Sequence, residues 1–362
     1  SSKQCFGAGW NLHDLLALLD TGPSAAQLAE RTAALSAFLR RLETAGLPVA
    51  AAIDGLALGG SLELALACHY RVLADSPGSR VGFPEVTVGL LPGGGGTQRL
   101  PRLIGARAAL PLLLEGKLLR PREALVAGIV DAVLPAAEVV AEARRWVLAN
   151  PQARQRWDLP NFAVSGGRTL AAAEFAEVMQ LASPAVTKTT YDNYPAPRKI
   201  LESVYEGLAV PIDRGLAIER RCFAELAVGP VARSMIRTLF VSKRRADKLA
   251  RRPAGVPPRR VRTLGVIGAG MMGAGLAYWA AVRKHAVVVL DTTPEFADRA
   301  RTYARRALDR ELEKGRISSA DAEAVLSRIK PTTRYDDLAP CEFVIEAVFE
   351  DREVKAGVTV LA

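Results

Sequence analysis

Residues 54–99 constrain the fold more tightly than any other part of the chain. A small apolar run, Val49-Ala50-Ala51-Ala52-Ile53, has the length of a strand and leads into Asp54-Gly55-Leu56-Ala57-Leu58-Gly59-Gly60-Ser61-Leu62-Glu63. Leu62, Leu64, Ala65, Leu66 and Cys68 then predict an almost wholly apolar, buried helix. A strand that turns through Gly59 and Gly60 into a helix start presents unpaired backbone N–H groups at the positive end of the helix dipole. That geometry receives an anion or a developing oxyanion.

Two glutamates bracket the turn. Glu63 falls in the first helical turn, and Glu85 follows Pro84 in Val81-Gly82-Phe83-Pro84-Glu85. Two carboxyls converging on one pocket can divide general-acid and general-base work. Taken singly, Glu63 also reads as a helix-capping acid and Glu85 as a solvated residue, and spacing alone does not bring them together. Pro92-Gly93-Gly94-Gly95-Gly96-Thr97-Gln98-Arg99 closes the stretch. Gly93 to Gly96 are expected to form a flexible loop on the phosphate or substrate side.

Ala57 to Ala65, Phe83-Pro84-Glu85 and Pro92 to Arg99 together resemble the core of the crotonase (enoyl-CoA hydratase/isomerase) family. The resemblance implies that Glu63 and Glu85 hold the water that adds across an enoyl double bond. An isomerase of the family works with the second glutamate alone, so the presence of both favours a hydratase. Phe6-Gly7-Ala8-Gly9-Trp10-Asn11 is similar to the family's first oxyanion segment, which maps the two oxyanion N–H donors to Trp10 and Gly60. Trp10 and Asn11 depart from the family's usual Ala-Asp. The indole either reshapes the acyl pocket or packs against the core. The family's leading strands do not precede Ser1, which reads as a fragment or as a chain shown only in its ordered part.

Ser24 caps an expected helix over 24–46, with Leu28, Leu35, Phe38, Leu39 and Leu42 on its apolar face and Arg31, Arg40, Arg41 and Glu43 on the wet one. Helical patterns follow through 106–150. Residues 151–258 change character: prolines recur, Gly166-Gly167 marks a loop, and a long helical region runs from Asn193. This region resembles the connector of multifunctional fatty-acid oxidation α-subunits, and docking is its expected work. Its basic end, Lys243-Arg244-Arg245 to Arg251-Arg252, reads as a solvated linker in preference to a CoA or peripheral membrane contact.

A second centre begins at Val261. A buried strand runs into Gly268-Ala269-Gly270-Met271-Met272-Gly273, then a helix, then Val287-Val288-Val289-Leu290-Asp291. In that context the three glycines serve the turn, the approach of a pyrophosphate and helix–strand packing, and Asp291 is placed to hold the ribose hydroxyls of NAD. The stretch resembles the 3-hydroxyacyl-CoA dehydrogenase family, whose cofactor contacts map to Met272, Asp291, Val348, Phe349, Glu350 and Lys355. Glu350 and Lys355 also read as a plain surface pair. The family's catalytic histidine and its glutamate partner would lie beyond Ala362, so these residues alone are expected to bind NAD without transferring hydride.

The expected fold is therefore α/β: a crotonase-like spiral domain (1–150), a helical connector (151–258) and a Rossmann NAD-binding domain (259–362). The implied function is fatty-acid β-oxidation, with 2-enoyl-CoA hydrated and the product oxidised by NAD; the implied partner is a thiolase β-subunit. An enoyl-CoA isomerase and a non-catalytic CoA- and NAD-binding scaffold are the competing readings. The net charge of +10 suits a polyanionic acyl-CoA, and no nucleic-acid motif accompanies the scattered arginines. Cys5, Cys68, Cys222 and Cys341 form no paired motif, and with three histidines no metal-ligand cluster can be drawn, which points to a reducing, cytoplasmic setting.

Overall fold

A computed structural model describes residues 5–164, 173–257 and 259–361, so the loop expected at Gly166-Gly167 lies outside the described residues. The chain divides into two compact units, Ser1–Arg252 and Pro253–Ala362. Residues 151–252 thus share a unit with residues 1–150. The reason is a common core: Leu62, Leu66, Phe83, Leu91 and Leu100 pack in one apolar cluster with Ile200, Val204, Cys222, Phe223 and Leu226. Removing such side chains from water drives this docking at roughly 25 cal/mol per Å².

The first unit carries β1 (Ala50–Ile53), β2 (Leu56–Leu58), β3 (Tyr70–Ala74), β4 (Arg80–Gly82), β5 (Leu118–Leu119) and β6 (Ala132–Leu134). They form two three-stranded sheets, β1-β3-β6 and β2-β4-β5. All pairings are parallel except β4 with β5. Gly7 extends the second sheet by bridging to Ala57. Between β2 and β3 the helix Gly60–Ala67 is buried on nearly every side, as its apolar composition requires.

The helix Ala25–Thr44 begins at Ser24 with a capping box to Gln27. Its buried stripe is Leu28, Thr32, Ser36, Leu39 and Glu43, whereas Leu35 and Phe38 are exposed. Glu43 was expected on the wet side. It is buried because its carboxylate pairs with Arg99 at 2.6 Å and with Arg40 at 2.7 Å.

In the second unit β7 (Thr263–Ile267), β8 (Ala286–Leu290), β9 (Ile329–Thr332) and β10 (Phe343–Glu346) form one parallel sheet in the order β10-β7-β8-β9. Counted within the unit this is 4-1-2-3, the half-sheet of a dinucleotide-binding fold, with its switch point between β7 and β10. Ala274, Ala277 and Ala281 on the helix Met271–Val282 pack in one cluster with Ala300, Ala304 and Leu308 of the helix Pro294–Glu313. After β8 come two helices, Pro294–Glu313 and Ser319–Leu326, and the chain between them turns at Gly315 with a positive φ. Among the described residues no helix is long and apolar enough to cross a membrane.

Candidate active site

Each unit carries one of the residue sets expected from the sequence. In the first, Gly59 sits between β2 and the helix Gly60–Ala67 at φ 56° and ψ −129°, a conformation suited to glycine. A Cβ there would stand 2.5 Å from Glu85 Oε1, so the turn and the Glu85 carboxyl are in direct contact. A Cβ on the next residue, Gly60, would stand 3.8 Å from Glu63 Oε2. Two consecutive backbone positions therefore face both carboxyls. Gly9 approaches the same turn, its absent Cβ lying 3.7 Å from the Gly60 nitrogen, and this brings the residue before Trp10 to the helix start. Among the described residues neither the Trp10 nor the Gly60 N–H has a hydrogen-bond acceptor. The sequence-expected set Trp10, Gly60, Glu63 and Glu85 is thus gathered at one place.

The Trp10 ring does not enter the core. It is 47% exposed and stacks on Phe223, ring centroids 6.4 Å apart and planes 14° off parallel. Asn11 has a local job: its side chain accepts the His13 N–H and caps the helix Leu12–Asp20.

The two glutamates differ in their partners. Glu63 Oε1 accepts the Gly94 N–H at 2.6 Å and the Gly96 N–H at 2.8 Å. Burial raises its carboxyl, against those two N–H groups and the Arg99 charge, which favour the anion. Glu85 has a buried Oε2 with no hydrogen-bond partner. Burial, and then the charge of Glu63, push its carboxyl well above the usual range. The pair therefore offers one anchored carboxyl and one whose burial and charged neighbour favour the protonated form.

A third buried acid is not legible in either motif. Glu219, on the helix Ile212–Val228, accepts the Gly95 N–H at 2.5 Å, the Thr97 N–H at 2.8 Å and the Thr97 hydroxyl at 2.6 Å. Burial and the Glu63 charge push it up to about 8. The signal that finds it is register: Glu219 falls on the helix's buried stripe with Leu216, Cys222 and Phe223, where a lone acid needs a partner. The expectation of a flexible loop at Gly93 to Gly96 fails for the same reason. The N–H groups of residues 94 to 97 are all taken by Glu63 and Glu219, and Arg99 donates to the Gly94 carbonyl at 2.7 Å. None of those four is left for a phosphate.

In the second unit Gly268 (φ 96°) turns against β10, where a Cβ would meet the Ala347 carbonyl oxygen at 2.7 Å. Gly273 would meet the Gly268 carbonyl oxygen at 1.8 Å, which lets helix and strand touch. Gly270 differs: a Cβ there meets nothing within 4 Å, and the helix it opens has no side-chain cap. Open space is left at a helix N-terminus, where the N–H groups favour an anion. Asp291 accepts the Ala269 N–H at 2.7 Å and the Thr292 N–H at 2.7 Å, so it braces the loop as well as ending β8. Val348 adjoins the same turn, its nitrogen 3.0 Å from the absent Cβ of Gly268, while Met272 and Phe349 are largely exposed. Lys355 pairs with Glu350 at 2.8 Å and with Glu346 at 3.4 Å. These residues fit a dinucleotide: open space over Gly270, a free helix start, and a carboxylate on the neighbouring strand end.

Residues 1–155 match the family model for enoyl-CoA hydratase/isomerase, and residues 263–360 match that for the NAD binding domain of 3-hydroxyacyl-CoA dehydrogenase. Among curated proteins the chain is 38% identical over 320 residues to the fatty acid oxidation complex subunit alpha of Shewanella baltica strain OS185, covering 87% of this chain and 44% of that one. It is 35% identical over 359 residues to the same subunit of Shewanella halifaxensis, covering 98% and 49%. The chain thus spans under half the length of these curated relatives. Among solved structures, a (S)-3-hydroxybutyryl-CoA dehydrogenase from Ralstonia eutropha is 36% identical over 28% of this chain and 35% of its own, with a TM-score of 0.27. An enoyl-CoA hydratase subunit from Geobacillus kaustophilus is 26% identical over 71% of this chain and 76% of its own, with a TM-score of 0.36.

Proposed function

We propose, for a chain whose residues 1–155 belong to the enoyl-CoA hydratase/isomerase family and whose residues 263–360 belong to the NAD-binding domain family of 3-hydroxyacyl-CoA dehydrogenase, a role in fatty-acid β-oxidation. The first unit hydrates a 2-enoyl-CoA to a 3-hydroxyacyl-CoA. The second holds NAD for oxidation of that product to a 3-oxoacyl-CoA. The observation that carries this reading is the pair of buried carboxyls at the Gly59-Gly60 turn, one anchored on backbone N–H groups and one with an unpartnered oxygen.

In the hydration step the thioester carbonyl accepts the Trp10 and Gly60 N–H groups. As charge moves onto that oxygen in the enolate, each such donor contributes on the order of 3 kcal/mol. The water lies between the carboxyls. Its oxygen bonds to C3, Glu85 gives its proton to C2, and the proton released by the water returns to the carboxyl pair. Glu85 suits the donor role because burial, and then the charge of Glu63, favour its protonated form. Glu63, with Oε1 fixed, keeps Oε2 to orient the water.

When bound, NAD supplies a hydride acceptor. Gly268, Gly270 and Gly273 give its pyrophosphate room, the start of the helix Met271–Val282 offers N–H groups, and Asp291 takes the ribose hydroxyls while bracing Ala269. Met272, Val348, Phe349, Glu350 and Lys355 are assigned to the same site. The proposal includes an acyl-CoA substrate and a cytoplasmic setting, the latter supported by four free cysteines. The name of the relatives, a subunit alpha, supports a partner subunit, and we assign that place to a thiolase β-subunit.

Hydration of crotonyl-CoA, followed by loss of its conjugated absorbance, tests the reading. The chain is expected to turn over and Glu85→Gln to lose roughly 100- to 10,000-fold in kcat. Acyl-CoA binding without turnover would turn the reading to a scaffold. Double-bond migration without hydration by the parent chain would turn it to an isomerase, and a Glu63→Gln variant that keeps migration but loses hydration separates the two activities.

A further inference from the structure

Four successive N–H groups, at Gly94, Gly95, Gly96 and Thr97, alternate between two acids. Gly94 and Gly96 donate to a single oxygen of Glu63, and Gly95 and Thr97 donate to Glu219. The loop is a shared wall with one carboxyl gripping each side. Glu219 is itself fixed by the Thr97 hydroxyl, which lies 2.7 Å from Ser203 Oγ, and by its place on a buried helix stripe. On the other side of the chain, Arg99 holds the Gly94 carbonyl and is locked to Glu43.

We propose that Glu219 is a positioning residue for hydration: through the backbone of residues 94–97 it fixes Glu63 Oε1, and so sets where Glu63 Oε2 stands relative to Glu85. The proposal rests on the reading of Glu63 as the water-holding carboxyl. It assigns part of the active-site geometry to the helix Ile212–Val228, which lies outside the span 1–155 matched by the hydratase family model. Without Glu219 the Gly95 and Thr97 N–H groups are buried and unpaired, and the loop must shift to satisfy them. A shift near 1 Å at a catalytic group costs on the order of 100-fold in rate.

The groups facing Glu219 are Glu63 and Arg99, with Glu85 also within electrostatic reach and the Thr97 and Ser203 hydroxyls in contact. Burial first, and then the Glu63 charge, push Glu219 up to about 8. Below that pH it is neutral. Above it the new charge holds the proton on Glu85 more tightly. Glu219→Gln removes this charge, so the alkaline limb of the kcat/KM profile moves to lower pH while the acidic limb stays. Loss of a purely structural contact would move neither limb.

The test is steady-state hydration of crotonyl-CoA by the full chain and by Glu63→Gln, Glu219→Ala and Glu219→Gln, with thermal unfolding of each. Glu219→Ala is expected to lose roughly 10- to 100-fold in kcat with KM within about threefold. Glu219→Gln, which keeps one acceptor for two N–H donors, falls between it and the parent and shows the displaced alkaline limb. A folded Glu219→Gln with parental kcat and an unmoved limb overturns the positioning role. So does failure of both variants to fold, which would make Glu219 a folding determinant. An inactive parent chain overturns the underlying hydratase reading instead; an active parent with inactive Glu63→Gln and normal Glu219 variants overturns only the positioning role.

Discussion

Two of the glycine-rich loops that run into helix starts, Gly93 to Gly96 and Gly268 to Gly273, do opposite things. At Gly93 to Gly96 every missing Cβ is replaced by a neighbour: Phe223 at Gly93, Glu63 at Gly94, Arg99 at Gly95, Phe83 and Pro92 at Gly96. Their N–H groups from Gly94 onward are spent on carboxylates of the protein. At Gly268 to Gly273 the outer two glycines are similarly crowded, but the space over Gly270 is open. The first loop is a latch closed on side chains, and the second is a cradle. Composition does not separate them; what fills the volume where each Cβ would be does.

The largest break of this contrast is Gly95→Ala. At φ 113° a Cβ would fall 1.7 Å from an Arg99 nitrogen, so the substitution strains the backbone and pries at the Arg99–Glu43 pair. Destabilisation of residues 1–252 by about 4 kcal/mol is expected, a fall in melting temperature of roughly 8–16 °C. A scan of the variant that matches the parent within 2 °C would show the latch to be loose, where ~2 °C is under 1 kcal/mol for a unit of this size.

Gly270→Val makes the complementary cut. The backbone there, φ −64° and ψ −173°, is open to any residue, so melting should hold. Affinity for NADH, titrated by its fluorescence, should fall on the order of tenfold, about 1.4 kcal/mol. Unchanged affinity would remove the cradle from the cofactor site.

The smallest effect is a difference in pH response. Glu63, Glu85 and Glu219 are all raised above their ordinary 4.5, with burial first among the causes. The folded first unit therefore keeps protons that the unfolded chain releases. The stability these three acids contribute is full below 4.5 and is lost as pH rises through the folded values, about 8 for Glu219. In the second unit Glu311 and Asp337 are lowered, by Arg316 and Thr332 first, so their contribution is lost only in acid. Between pH 5 and 8 the melting transition of residues 1–252 should drop by a few degrees and that of the second unit should stay, on the scale of about 1 kcal/mol per 2–4 °C. Parallel behaviour would mean the buried acids are already ionised at pH 5.

The legible part of the protein was the part carried by short-range pattern. Glu63 and Glu85 stand in local motifs, and Asp291 ends a strand about twenty residues after a fingerprint whose glycines are locally spaced. The Rossmann character of residues 259–362 followed from the strand, glycine fingerprint, helix and second strand in succession. Glu219 could not be read this way. It meets Thr97 across 122 residues, and nothing in either segment names the other. Glu43 was misplaced because charge argued for solvent, whereas Arg99, 56 residues on, makes burial tolerable. Gly207 and Gly215 were equally silent. Each leaves room for the Gln98 side chain, whose oxygen would lie 2.2 and 2.5 Å from a Cβ at those positions.

The span between Thr97 and Glu219 also sets a schedule for the nascent chain. A ribosome adding 5–20 residues per second needs roughly 6–24 s to travel those positions. During that interval both sheets of the first unit, complete by Leu134, can pair, while the loop beside Glu63 waits for its second anchor. The pocket can thus be assembled only after its own sheets have been made, and a pause in translation between them would leave the buried N–H groups of Gly95 and Thr97 open to whatever acceptor arrives first.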